Sequence, residues 1–283
     1  MIKKNIYIKV KDHSVSGEEF KLLYNKELDL LVTHPQPSPE KLSEYYKSED
    51  YISHTDAKRN LFEKAYHIVR KIALKRKLKL VESYSGKNKH LLDIGCGTGD
   101  FLEAAVRSGW AVSGIEPNEY ARAIANKKTN NTVFEINKLL DFDKHSFDVI
   151  TLWHVLEHLP KLEEHISIFK KLLKPEGAII IAVPNYKSYD AEYYKNYWAA
   201  YDVPRHLWHF SERSMSNLFS IEKMKVVKIL PMKFDSFYVS LLSEKYKSGK
   251  MNYLGALKIG WLSNFKAKKS GEYSSLIYVI QNN

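Results

Sequence analysis

Three groups of residues have the types and spacing for chemistry. The first is Gly95-Cys-Gly-Thr-Gly99, which leaves a β-rich stretch and enters an amphipathic one. Without Cβ atoms such a loop turns sharply and brings its amides against a ligand near a helix start. Asp93 precedes the loop, and Glu116 follows Gly95 by 21 residues, directly after the next β-rich stretch. An acid at that point accepts both hydroxyls of a ribose in nucleotide-binding α/β folds, so the group implies an adenosine-bearing cofactor. The sixth position counted from Gly95 is Asp100, where a dinucleotide fingerprint needs a small residue beside a pyrophosphate. Asp100 would repel a pyrophosphate, and Asp93 suits a cofactor presenting an ammonium and a sulfonium better than one presenting phosphates. The lysine-bearing loop of phosphate-binding proteins is absent.

The second group is His154-Val-Leu-Glu-His158. It matches the His-x-x-Glu-His pattern of inverted zinc peptidases, so zinc hydrolysis through His154, Glu157 and His158 is one reading. That reading needs a long helix and a further downstream ligand. In the other, Trp153 and His154 end the fourth strand of an open α/β sheet and face the cofactor, with His158 one turn further on. A histidine near neutral pKa suits removal of a proton from a hydroxyl acceptor, which makes His154 and His158 the candidate bases. The third group is the segment Tyr197 to Phe210, within which Tyr197, Trp198, Tyr201, Arg205, His206 and His209 combine aromatic walls with polar groups. Such a lining fits a flat or apolar acceptor. Nine aromatic residues fall between positions 185 and 210.

These groups require a particular scaffold. Short β-rich runs at His90–Ile94, Ala111–Ile115, Thr132–Ile136, Asp148–Trp153 and Ala178–Val183 alternate with helical patterns at Phe101–Ser108, Glu119–Lys127 and Leu162–Leu173. The alternation predicts a doubly wound, Rossmann-like α/β sheet, with Gly109 and the Pro175-Glu-Gly177 turn as stops. Val226–Leu230 and Ser275–Ile280 read as closing strands around a helical insertion near Phe234 to Phe265. Before the core, apolar residues from Leu61 to Ile72 recur at helical spacing, with Ser53 and Asp56 as a capping box. The stretch from His34 to Glu40 is punctuated by prolines. The expected organisation is an arm over 1–50, a helical segment over 51–87, and a domain over 88–283 with a lid at 185–210 and an insertion at 231–273.

The chain has 283 residues, 44% hydrophobic and 27% charged, which excludes a wholly disordered or fibrous protein. No apolar run approaches the roughly 20 residues of a membrane-spanning helix, and no signal segment follows Met1, so a cytoplasmic location is expected. One cysteine, Cys96, excludes an internal disulfide and a multi-cysteine zinc cage. The net charge of +11 permits an anionic partner such as RNA. Its cations crowd Arg70–Lys79, Lys245–Lys250 and Lys266–Lys269, and the first run reads as the solvated last turns of a capped helix.

Leu92-Asp-Ile-Gly-Cys-Gly-Thr-Gly99 resembles motif I of the class I S-adenosylmethionine-dependent methyltransferases. The likeness continues through Gly114-Ile-Glu-Pro117, Ser146-Phe-Asp-Val-Ile150, Val155-Leu-Glu-His158, Leu173-Lys-Pro-Glu-Gly177 and Val183-Pro-Asn185. Residues 88 to 185 are similar to the branch that includes the ubiquinone and menaquinone biosynthesis enzymes. The resemblance implies a seven-stranded sheet with its last strand antiparallel. It also implies S-adenosylmethionine as cofactor, with Gly95, Cys96 (through its backbone), Gly97 and Gly99 around the methionine half. Asp93 would lie beneath that half, Glu116 and Pro117 at the ribose, and Asn137 at the adenine edge. Tyr45, Tyr46 and Tyr51 would close over the cofactor. A small-molecule acceptor methylated on oxygen is the favoured function; RNA methylation and a non-catalytic cofactor-binding subunit are the alternatives. The first 50 residues resemble a zinc-ribbon arm placed before a stretch like Thr33-His-Pro-Gln-Pro37. Asn25 and Leu28 stand where a cysteine pair would fall, so no metal is expected.

Overall fold

The computed structural model describes residues 5–46, 61–86 and 88–283. Tyr51, Ser53 and Asp56 lie outside the described residues. The strands are β1 (Ile6–Lys11), β2 (Glu19–Asn25), β3 (Leu30–His34), β4 (His90–Ile94), β5 (Ala111–Ile115), β6 (Val133–Phe134), β7 (Phe147–Trp153), β8 (Leu173–Pro184), β9 (Trp208–His209), β10 (Met224–Pro231) and β11 (Ser275–Asn282). Seven form one sheet in the order β10-β11-β8-β7-β4-β5-β6, and β1-β2-β3-β9 form a second.

β4, β5, β6, β7 and β8 pair in parallel. Their sequences are nearly continuous apolar runs, as strands covered on both faces by crossover helices must be. Six of the seven β7 residues are buried, including Asp148, whose carboxylate accepts from the His90 N–H at 2.8 Å and Lys174 Nζ at 2.7 Å. The last strand runs antiparallel to β10: Met232 N–H donates to the Ser275 carbonyl, while Asn283 N–H donates to that of Lys223. The turn expected at Pro175-Glu-Gly177 is a bulge inside β8. Phe147 pairs with Leu173 and Val149 with Ala178, so the extra β8 residues loop out and proline's missing donor costs no ladder bond.

Compactness groups the described residues of Met1–Arg59, Val183–Asn217 and Leu230–Ile277 into one unit, and those of Asn60–Ala182, Leu218–Ile229 and Tyr278–Asn283 into another. The division differs from one at position 88, because arm, lid and insertion share a single core. Phe20, Leu22 and Leu31 of the arm pack in one cluster with Tyr194, Trp198 and Tyr201 of the lid and Val239 and Ile259 of the insertion. The insertion is a helical hairpin, Asp235–Ser248 and Tyr253–Ser270.

The arm has the outline of a ribbon held by hydrogen bonds. Asp12 closes the β1–β2 loop by accepting the N–H groups of Ser14, Val15 and Ser16. Asn25 closes the β2–β3 loop by accepting those of Glu27 and Leu28. Each side chain ties a turn by satisfying its amides locally.

Candidate active site

β4 and β5 end side by side, and the Gly95–Gly99 loop leaves their carboxyl ends. The Gly95 and Cys96 N–H groups both donate to the Ile115 carbonyl, at 2.7 and 3.1 Å, which folds the loop onto β5. Gly95, Gly97 and Gly99 have φ values of 67°, 55° and 78°. A Cβ at Gly95 would lie 2.5 Å from a Val155 methyl, and one at Gly99 2.8 Å from the Ala125 Cβ; at Gly97 it would meet nothing within 4 Å. Packing therefore demands two of the glycines, while the backbone at Gly97 borders open space.

Glu116 directly follows β5 with its carboxylate buried, accepting the N–H groups of Gly97 at 2.8 Å and Asn118 at 2.9 Å. Burial raises its pKa against the pull of those two amides. Arg122 fixes the strand end by donating to the carbonyls of Glu116 and Pro117 and pairing with Glu135 at 2.9 Å. Asp93 is 2% exposed and accepts the Thr151 hydroxyl at 2.5 Å. Burial pushes its pKa above the usual carboxylate range, although the Thr151 hydrogen bond and the Lys77 ammonium oppose the shift.

Lys77 Nζ lies 4.3 Å from the centre of the Trp153 ring. A cleft of about 290 Å³ is lined by Lys77, Cys96, Thr98, Asp100 and Phe101, among others. Trp153 meets Phe101 edge-on at 5.6 Å, and its buried indole N–H has no hydrogen-bond partner among the described residues. A buried acid whose charged form lacks solvent suits a positively charged ligand. An ammonium or a sulfonium fits such an acceptor.

Residues 63–222, more than half of the chain, match the family described as Methyltransferase domain. The chain belongs to the class I S-adenosylmethionine-dependent methyltransferases. Its cofactor is S-adenosylmethionine. The "Ubiquinone biosynthesis O-methyltransferase" of Coxiella burnetii is 30% identical over 134 residues, 44% of this chain and 56% of the relative. The chain spans about half the length of the curated relatives it matches. Two solved structures share the fold. A SAM-dependent methyltransferase from Archaeoglobus fulgidus has a TM-score of 0.53 at 20% identity, covering 78% of this chain and 98% of its own. Magnesium protoporphyrin IX methyltransferase from Synechocystis PCC 6803, with bound SAH, has a TM-score of 0.56 at 13% identity, covering 87% and 100%.

Within this methyltransferase fold, Asp93, the three glycines, Cys96, Glu116 and Trp153 gather at the carboxyl ends of β4, β5 and β7. Pro117 is exposed after β5, and Asn137 is exposed in the short 3-10 turn Ile136–Leu140 after β6. Burial, with Asp93 and Glu116 nearby, pushes the Cys96 thiol well up, so it is not a thiolate nucleophile at neutral pH. Asp100 pairs with Lys128 at 2.6 Å, and Lys128 also donates to the Thr98 carbonyl. The Asp100 charge is thereby offset.

His154 follows β7 in the left-handed region, φ 58°, with its N–H donating to the Ala182 carbonyl at 2.9 Å. Its Nδ1 lies 3.5 Å from a carboxylate oxygen of buried Glu157. A Glu157 oxygen and a His158 ring nitrogen fall within 4.8 Å of each other. Leu156–His158 is a single 3-10 turn, so the two imidazoles do not share an α-helical face as the zinc-peptidase reading requires.

In the other unit, Tyr197 is half-buried, whereas Trp198, Tyr201, Arg205, His206 and His209 are buried. The Trp198 indole donates to Asp190 at 2.8 Å, the His206 Nδ1 meets the Ala200 carbonyl at 2.9 Å, and the His209 Nε2 meets the Thr33 hydroxyl at 3.1 Å. Arg205 bridges Asp12 at 3.1 Å and Asp202 at 2.6 Å and reaches the Tyr45 carbonyl. Tyr45 donates to Glu18 at 2.6 Å. Sequence reasoning missed Lys77, Arg122 and Thr151. Thr151 and Lys77 act on Asp93 from separate stretches that carry no motif, whereas Arg122 lies within six residues of the carbonyls it caps, and its spacing forms no recognised motif.

Proposed function

We propose that this protein transfers a methyl group from S-adenosylmethionine to the oxygen of a small-molecule acceptor. The observation that supports this reading best is the pair of buried carboxylates, Asp93 and Glu116, at the ends of adjacent strands on either side of a glycine loop. When bound, the cofactor supplies an electrophilic methyl group on a sulfonium. Asp93 would hold the cationic amino-acid half, and Glu116, oriented by the Gly97 and Asn118 amides, would hold the ribose. Pro117 and Asn137, exposed beyond the strand ends, would border the sugar and base. Trp153 supplies an aromatic face that tolerates positive charge.

An oxygen acceptor must lose its proton as the methyl arrives, and we assign that step to His154 or His158. The similarity to an O-methyltransferase of Coxiella burnetii favours oxygen over carbon or nitrogen. Among the lid residues, half-buried Tyr197 is assigned acceptor contact. The buried Trp198, Tyr201, Arg205, His206 and His209 are assigned the shape of the segment that carries it.

The test is calorimetry with S-adenosylhomocysteine and with a nicotinamide dinucleotide, followed by transfer of labelled methyl to a panel of small phenols and, in parallel, to total RNA. Binding of the nucleoside thioether alone, with label entering phenols, is expected. Label in RNA only, or heat from the dinucleotide only, would replace the reading. Of His154→Ala and His158→Ala, the variant lacking the base should lose about a hundredfold or more in turnover while keeping cofactor affinity.

A further inference from the structure

The helix Tyr253–Ser270 is built inside out. Its packed side consists mostly of small residues, Ala256, Gly260, Ser263 and Ala267, with Ile259. At Gly260 a Cβ would lie 2.7 Å from a Phe237 ring carbon and 3.0 Å from the Phe237 Cα, so the two helices of the hairpin touch nearly backbone to backbone. The large apolar residues point the other way. Leu254 is 82% exposed, Leu257 60%, and Trp261 and Phe265 56% each. Their spacing of three and four residues places them in one stripe along the helix. The Trp261 and Phe265 rings are stacked at 5.3 Å, 14° from parallel, and present a single flat surface. Asn264 donates to the Lys233 carbonyl at 2.8 Å, which brings exposed Lys233 and Phe234 beside the same end of the stripe.

The charge around the stripe has one sign. Residues 245 to 271 include seven lysines and no aspartate or glutamate. At 100° per residue, Lys258 and Lys269 border the apolar stripe and Lys268 continues it by one turn; all three are exposed. A second copy docked on this face would oppose lysine to lysine with no acid on the stripe to relieve it. A bilayer of anionic lipid supplies both complements: headgroups for the lysines and an acyl boundary for leucine, tryptophan and phenylalanine. Tryptophan and lysine also favour that depth.

We propose that the outer face of Tyr253–Ser270 is a membrane-surface docking site, on which the protein lies against anionic phospholipid. Among the described residues no helix is long and apolar enough to cross a membrane, so the attachment is interfacial. It combines apolar insertion of Leu254, Leu257, Trp261 and Phe265 with screening-sensitive attraction by Lys258, Lys268 and Lys269.

The test is co-sedimentation of the full chain with vesicles of phosphatidylcholine, with and without phosphatidylglycerol as roughly a third of the lipid. Binding is expected on the anionic vesicles only, weakened at high salt. The double substitution Trp261→Ser/Phe265→Ser should reduce it at least tenfold, and Lys258→Glu/Lys268→Glu/Lys269→Glu should abolish it. Both variants alter exposed side chains, and an unchanged melting curve would confirm that each still folds. No binding by the wild type to anionic vesicles, or equal binding by the double variant, would overturn the proposal. So would a concentration-dependent dimer that the double variant abolishes, which would make the face a contact between copies.

Discussion

Asp93 is the residue at which environment and task meet most directly. Its burial disfavours the carboxylate and raises its pKa, while a cationic ligand favours the carboxylate and lowers it again. Binding a cation must therefore expel a proton from the fraction of molecules in which Asp93 is neutral. Cofactor affinity should rise with pH through the range where Asp93 titrates and flatten above it. Asp93→Asn should lose roughly ten- to a hundredfold in affinity at neutral pH, from about 1.5–3 kcal/mol for a charged hydrogen bond, and should show no such slope. Calorimetry in buffers of different ionisation heat measures the proton release directly, and release by Asp93→Asn equal to wild type would remove Asp93 from this role. The residue itself was legible in the sequence because its meaning is local: a strand end, then glycines. Thr151 and Lys77, which oppose the effect of its burial, were not, because each acts on it from a distant stretch without a motif of its own.

At the scale of elements, strands and helices of the core follow the apolar periodicity closely, since a parallel strand covered on both faces leaves little alternative. The Pro175–Gly177 bulge departs from expectation because turn chemistry alone does not distinguish a loop before a strand from a loop within one. The ribbon shows a different limit. Its lack of cysteine pairs was visible, but its replacement by turns centred on Asp12 and Asn25 and by a buried arginine was not. Asp12 would be raised by burial, yet the amides of Ser16 and Ser14 and the Arg205 guanidinium outweigh that and hold it at about 2, below its ordinary 3.8. The sign follows from linkage: stability from ionised Asp12 is complete above the unfolded pKa and is lost as pH falls through about 2. Wild type should therefore lose stability on acidification between those values, whereas Asp12→Asn should start less stable at neutral pH and lose less over the same interval. Urea titrations at several pH values measure both, and parallel losses in the two proteins would mean that another carboxylate governs acid stability.

The whole molecule has its compact units threaded through one another in sequence, and this has a mechanical consequence for the arm. Asp29 accepts from Tyr24, from Lys187 at 2.5 Å and from the Ser211 hydroxyl at 2.6 Å, while Asp12 neutralises buried Arg205. Phe20, Leu22 and Leu31 fill the same cluster as Tyr194, Trp198 and Tyr201. Deleting residues 1–38 would strip Arg205 and Lys187 of these carboxylate partners and open the cluster. Arg205 would keep Asp202 but lose its fully buried partner Asp12, and with three core side chains removed as well the loss is a large share of ordinary domain stability. The deletion should therefore abolish hydrogen-exchange protection in 186–217 and 235–270, segments far from it in sequence. The β4 and β7 amides, whose ladder lies wholly within the other unit, should keep theirs, and S-adenosylhomocysteine binding should persist. Protection retained in 186–217 would show that lid and insertion fold without the arm. Uniform loss that included β4 and β7 would show one cooperative unit in place of two.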